Sequence, residues 1–112
     1  MVSEHPPRQL GTAFRVGGGG GGSATTIALA ESITREFLNL RAADLPLTLD
    51  LRCVGVASTA TAVKAFAVAR GHLTVHGLDV IATAHFESAP DETGRAPKGE
   101  LSVLVLRLES LT

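Results

Sequence analysis

The chain has no tryptophan, no tyrosine and only four phenylalanines among its 112 residues. It therefore lacks the aromatic surface on which single-stranded bases usually stack. Cysteine is nearly absent too. The one thiol, Cys53, lies within an apolar, strand-like run. A lone cysteine builds no internal disulfide framework and fits a reducing compartment, with Cys53 as a core residue. No stretch of about 18 apolar residues occurs, nor a basic, then apolar, then small-residue leader, so neither export nor membrane insertion is signalled. Cytoplasm is the default. Charge of one sign is also missing: ten lysines and arginines face eleven aspartates and glutamates, a formal net charge of -1. Without a global field, any contact with a polyanion has to rest on a local patch.

Catalytic arrangements are equally scarce. There is no Gly-x-Ser-x-Gly turn for a serine nucleophile, and Cys53 sits where a core strand is expected. Asp91 and Glu92 form the nearest thing to a carboxylate pair, but they fall at a polar loop tip suited to solvation. His72 and His76 are four apart, with His85 not far on. Gly71 and Gly77 bracket the first two, which places them in a loop rather than on one helical face, with no cysteine nearby. The sequence thus predicts no enzyme, no metal site and no cofactor.

What is abundant is glycine, above all the six consecutive residues Gly17 to Gly22. They separate a strand-like segment, Thr12 to Val16, from a helix opening at Ser23. A strand, a glycine loop and a helix form the setting in which backbone N–H groups and a helix's positive end approach phosphates. Glycine also loses the most freedom on ordering, roughly 0.5–1 kcal/mol each relative to alanine, so the free loop is expected to move. The run satisfies the dinucleotide pattern G-x-G-x-x-G, as any six glycines do, but the Walker pattern fails because Gly22 leads to Ser23 without a lysine. Three readings stay open: a phosphate-ligand loop, a plain connector, and a nucleic-acid backbone contact made by N–H groups.

A composition of 45% hydrophobic and 19% charged residues suits one compact core. Residues 1–11, with Pro6 and Pro7 and no periodicity, read as a flexible tail; residues 12–112 read as a single domain. Ile27, Ala30, Ile33, Phe37 and Leu40 recur at helical spacing between Ala24 and about Arg41, opposite Glu31, Arg35 and Glu36. Leu47, Leu49, Leu51 and Cys53 then alternate with Thr48, Asp50 and Arg52, as in a half-buried strand. A second helix is expected from about Ser58 to Arg70, ended by Gly71. Strands near Leu78 to Glu87 and Glu100 to Glu109 follow, joined by the polar segment Ser88 to Gly99. The predicted fold is an α+β two-layer sandwich of order βαβαββ, with two helices on one face of a four-stranded mixed sheet.

The second helix is apolar almost all round, with only Lys64 and Arg70 charged. Such a helix needs cover on both sides, and a sheet covers one. A homodimer is therefore expected, with Ala62, Ala65, Phe66 and Ala69 at its interface. The alternative is an alanine-rich helix whose small side chains tolerate water.

The stretch Val54 to Gly71, which reads VGVASTATAVKAFAVARG, and the following Gly77-Leu78-Asp79-Val80-Ile81 resemble the stage V sporulation protein S family. That family's second helix has an Ala-Val-Lys-Ala-x-Ala-x-Ala-Arg-Gly core, followed by a Gly-hydrophobic-Asp strand start. The resemblance runs more loosely over residues 12–109. It implies an Alba-like fold, a dimer, DNA or RNA binding and a role in bacterial developmental regulation. Lys64, Arg70 and Asp79 match the family positions. Alba-like proteins are expected to touch nucleic-acid backbone with the loop before the first helix and with the long hairpin. Here those would be Gly20, Gly21, Gly22 and Ser23, then Arg95 and Lys98, joined by Lys64 and Arg70. The glycine loop carries no lysine, and Arg95 and Lys98 are balanced by Asp91 and Glu92. An assembly module that binds protein instead of nucleic acid is the alternative.

Overall fold

The computed structural model describes residues 12–17, 23–91, 94 and 99–111. The expected flexible tail and residues 18–22 of the glycine run lie outside these. The elements are β1 (Thr12–Arg15), α1 (Ser23–Ala42), β2 (Thr48–Cys53), α2 (Val56–Val75), β3 (Val80–Pro90) and β4 (Glu100–Ser110). This is the βαβαββ order read from the sequence. The strands form one mixed sheet, β1-β2-β4-β3, in which β1 and β2 run parallel and the other pairs antiparallel. It is the α+β sandwich of the Alba-like kind.

Register explains the core. Leu49, Leu51 and Cys53 of β2 stand opposite Leu108, Leu106 and Leu104 of β4, so alternate residues of both strands meet the helices. Ala30, Ile33 and Phe37 of α1 and Ala62, Ala65, Ala69 and Leu73 of α2 close over them, each fully buried. Every fully buried Leu, Ile or Phe side chain contributes roughly 1.5–3 kcal/mol by leaving water. Ile27, expected on the same stripe, is instead 49% exposed, one turn before the buried row begins. Burial of Cys53 pushes its thiol pKa up, the mark of an inert core cysteine.

Both helices end in the same way. In α1, Leu45 N–H bonds Leu40 O and Asp44 N–H bonds Arg41 O, with Asp44 at φ 59°. In α2, Leu78 N–H bonds Leu73 O and Gly77 N–H bonds Thr74 O, with Gly77 at φ 80°. These are Schellman motifs, which place a left-handed residue just past the last turn. The stop in α2 is thus Gly77 and not Gly71. Helix continues through Gly71 because Leu73 and Leu78, 0% and 4% exposed, are needed in the core beyond it. At its other end α2 starts before Ser58, whose hydroxyl turns back to donate to Val54 O at 2.7 Å.

The polar side of β2 is not simply solvated. Asp50 is 9% exposed and accepts two hydrogen bonds from Arg107 of β4, from Nε at 2.8 Å and from a terminal guanidinium nitrogen at 3.0 Å. Such bidentate pairing offsets the cost of burying a charge.

Candidate functional site

Parallel β1 and β2 both point their C-terminal ends to one end of the sheet, so α1 and α2 both begin there. Antiparallel β4 and β3 extend past them: the pairs from Glu87 with Val103 to Pro90 with Glu100 have no β2 residue beside them. The overhang measures roughly 13 Å at the usual rise of a strand. It meets the exit of β1, where Val16 N–H donates to Arg52 O at 3.0 Å and Gly17 begins the glycine run. The strand ends and the overhanging hairpin enclose an open cleft of about 580 Å³.

Two arginines reach this cleft, Arg15 and Arg52, which are register partners on adjacent strands. Their situations differ. Arg52 donates to Glu87 Oε1 at 2.9 Å across β4, and Glu87 Oε2 lies 2.9 Å from His85 Nε2. Held by His85 first and Arg52 second, the Glu87 carboxyl has its pKa lowered from 4.5 to about 2. Arg15 is exposed and has no carboxylate partner among the described residues. The remaining wall is mostly apolar, with Val54, Ala89, Leu101 and Val103, and Asp91 stands on the lining as well. Asp91 N–H donates to Gly99 O at 2.9 Å, which narrows the hairpin as it leaves the strands.

The positions singled out from the sequence are scattered. Ser23 is the first residue of α1 at the cleft end. Gly20, Gly21, Gly22, Arg95 and Lys98 lie outside the described residues. Lys64 is exposed on the outer face of α2. Arg70 lies farther along, at the opposite end of the sheet, where its Nε donates to Val80 O at 3.2 Å and its guanidinium stands 3.7 Å from Asp79. Arg70 therefore lies at the end of the sheet away from Arg15 and the start of α1. His72 and His76 correct an expectation: they occupy the last turn and the cap of α2 rather than a loop, and Arg41 donates to His76 O at 2.7 Å.

The dimer residues also move. Ala62, Ala65 and Ala69 are 0% exposed inside the protomer's own core, so they offer a partner no surface; Phe66 is half-buried beside them. Helical geometry placed the alanines on one stripe, but that stripe faces the sheet. Exposed apolar side chains stand elsewhere: Val63 and Val68 of α2, 49% and 37% exposed, and Phe86 on the helix-facing side of β3, at 72%. These were not read from the sequence, and neither were Arg15 and Arg52. The signal for the arginines was present: both occupy the polar position of an alternating strand beside a glycine loop or a helix start.

Compared with known families, residues 21–97 match the stage V sporulation protein S (SpoVS) family. The chain belongs to the SpoVS family. None of the curated proteins compared with it matches. The SpoVS match runs from the glycine loop through both helices, β2 and β3 into the hairpin, and so includes Asp50, Arg52, Lys64, Arg70 and Glu87. Arg15 and Arg107, on β1 and β4, fall outside it. Family membership makes this a sporulation-related, SpoVS-like protein. No helix among the described residues is long and apolar enough to cross a membrane.

Proposed function

We propose that this SpoVS protein is a non-enzymatic, cytoplasmic bacterial regulator that binds DNA or RNA through backbone phosphate, as a homodimer. The observation that carries the reading is Arg15: an exposed guanidinium without a carboxylate partner among the described residues, at the sheet end where β1 exits, both helices start and the hairpin overhangs. Phosphate contacts of this kind position a protein on a polymer without reading bases. The dimer rests on Val63 and Val68 of α2 and on Phe86, exposed apolar side chains of the sort that second subunits cover. Lys64 is exposed next to Val63, so two copies would bring two lysines close together.

A second reading has its own support. Arg52, Arg70 and Arg107 all face carboxylates, which neutralises three of the seven lysines and arginines among the described residues. A protein-assembly module with the same fold would look like this. Fluorescence anisotropy against duplex DNA, single-stranded DNA and RNA separates the two. Nucleic-acid binding predicts affinity at low salt that falls with salt, at a log–log slope of about -0.7 to -0.9 per phosphate contacted. Indifference to all three polymers at low salt rejects it in favour of assembly. Sedimentation equilibrium tests the dimer: Val63→Glu should yield monomers, and an unchanged assembly state would place the interface elsewhere.

A further inference from the structure

We propose that the cleft at the hairpin end binds a small organic anion, one phosphate or carboxylate head on a compact apolar body. Its volume, about 580 Å³, falls in the range of about 300–1,000 Å³ typical of small-molecule sites. Its two poles select the chemistry. Arg15 supplies a positive charge that Arg52, already bonded to Glu87, does not. An apolar guest would bury that guanidinium without a partner, which is costly. An inorganic anion would satisfy Arg15 but leave exposed Val54 and half-buried Leu101 of the wall wet. Only a molecule with both parts matches both poles.

This site shares Arg15 with the proposed polymer contact but does not depend on it. A phosphate strand passing over the sheet end needs no apolar trough, whereas the ligand needs no polymer. A bound ligand would occupy Arg15 and so compete with nucleic acid, which makes the cleft a place for an effector.

The full chain, titrated with phenyl phosphate, adenosine 5′-monophosphate and benzoate and followed by backbone amide NMR, tests the idea without any polymer present. Saturable shifts are expected at Gly17, Val54, Ala89 and Leu101. Phenyl phosphate should bind at least ~tenfold more tightly than inorganic phosphate, because the ring adds burial against the wall. Arg15→Ala should weaken it by about tenfold through the lost charge-assisted bond. Leu101→Ser should weaken it by about fivefold through the lost apolar contact, while polymer binding stays unchanged. A preference for phenyl phosphate over benzoate names phosphomonoesters as the ligand class; the reverse names carboxylates. The proposal fails if no probe saturates, if inorganic phosphate binds as well as phenyl phosphate, or if the shifts fall away from the cleft. Because these titrations contain no nucleic acid, failed polymer binding and failed ligand binding are separate results.

Discussion

At the end of the sheet where the helices finish, every arginine is occupied. Arg70 bonds Val80 O and faces Asp79, and Arg41 bonds His76 O. The backbone there is closed as well: Leu111 N–H donates to Asp79 O at 2.7 Å and Ser110 N–H to Leu47 O at 3.0 Å. At the other end Arg15 has no carboxylate among the described residues, a cleft stands open, and the chain passes into glycines. Arg15, Arg41 and Arg70 are all exposed, yet of the three only Arg15 has no partner among the described residues. Exposure alone does not make a cation available to phosphate; the absence of a competing acceptor among the described residues does.

Charge reversal tests that contrast most strongly. Arg15→Glu is expected to weaken DNA or RNA binding at least ~tenfold at low salt, and to reduce the salt slope by roughly one contact per protomer. Arg70→Glu should change affinity less than ~twofold. Its effect should appear as instability, about 1 kcal/mol from a lost backbone bond and an exposed ion pair. Anisotropy titrations and thermal melts of both variants decide it. Equal loss of binding in the two would dissolve the distinction between the ends and restore Arg70 to the interface.

The element order was legible because the hydrophobic periods are clean: Ala30, Ile33, Phe37 and Leu40 can share only a helical face, and Leu49, Leu51 and Cys53 only a strand face. Charge pairing was not. Asp50 looked like a solvated strand residue, and its bidentate partner Arg107 lies 57 positions away, a separation that local pattern does not report. The alanine stripe of α2 misled for a related reason. Ala62, Ala65 and Ala69 are small because α2 packs closely on its own protomer, and composition does not say which of two possible surfaces a small residue meets. The candidate site was half visible: the glycine run follows β1 at the cleft end of the sheet, but the cleft needs the β1–β2 register and the hairpin overhang.

Acid titration offers a finer comparison, since Arg52 at the open end is held by a carboxylate and Arg15, among the described residues, is not. The folded Glu87 carboxyl titrates at about 2, below its ordinary 4.5. Folding therefore favours the charged form. The resulting stabilisation is complete above about 4.5 and is lost as pH falls toward about 2. Urea unfolding should show the advantage of wild type over Glu87→Gln shrinking across that window. Arg15→Ala should show no such dependence. A constant difference between wild type and Glu87→Gln would mean that the Arg52–Glu87–His85 bridge does not persist in solution.

The smallest expected effect bears on where the closed end begins. If Gly71 stopped α2, as its place after Arg70 suggests, it would take the left-handed conformation, and Gly71→Ala would destabilise the protein. In the structure Gly71 is exposed within the helix, has no positive φ, and an added Cβ meets nothing within 4 Å. Alanine there should stabilise the fold by about 0.5–1 kcal/mol, through helix propensity and reduced freedom of the unfolded chain. Gly77→Ala should act in the opposite direction, because Gly77 does hold a φ of 80° in the Schellman turn. Opposite signs in two thermal melts would locate the helix end at Gly77. Two losses would mean that α2 stops a turn and a half earlier, freeing His72 and Leu73 from the helix and loosening the end at which Arg70 is tied down.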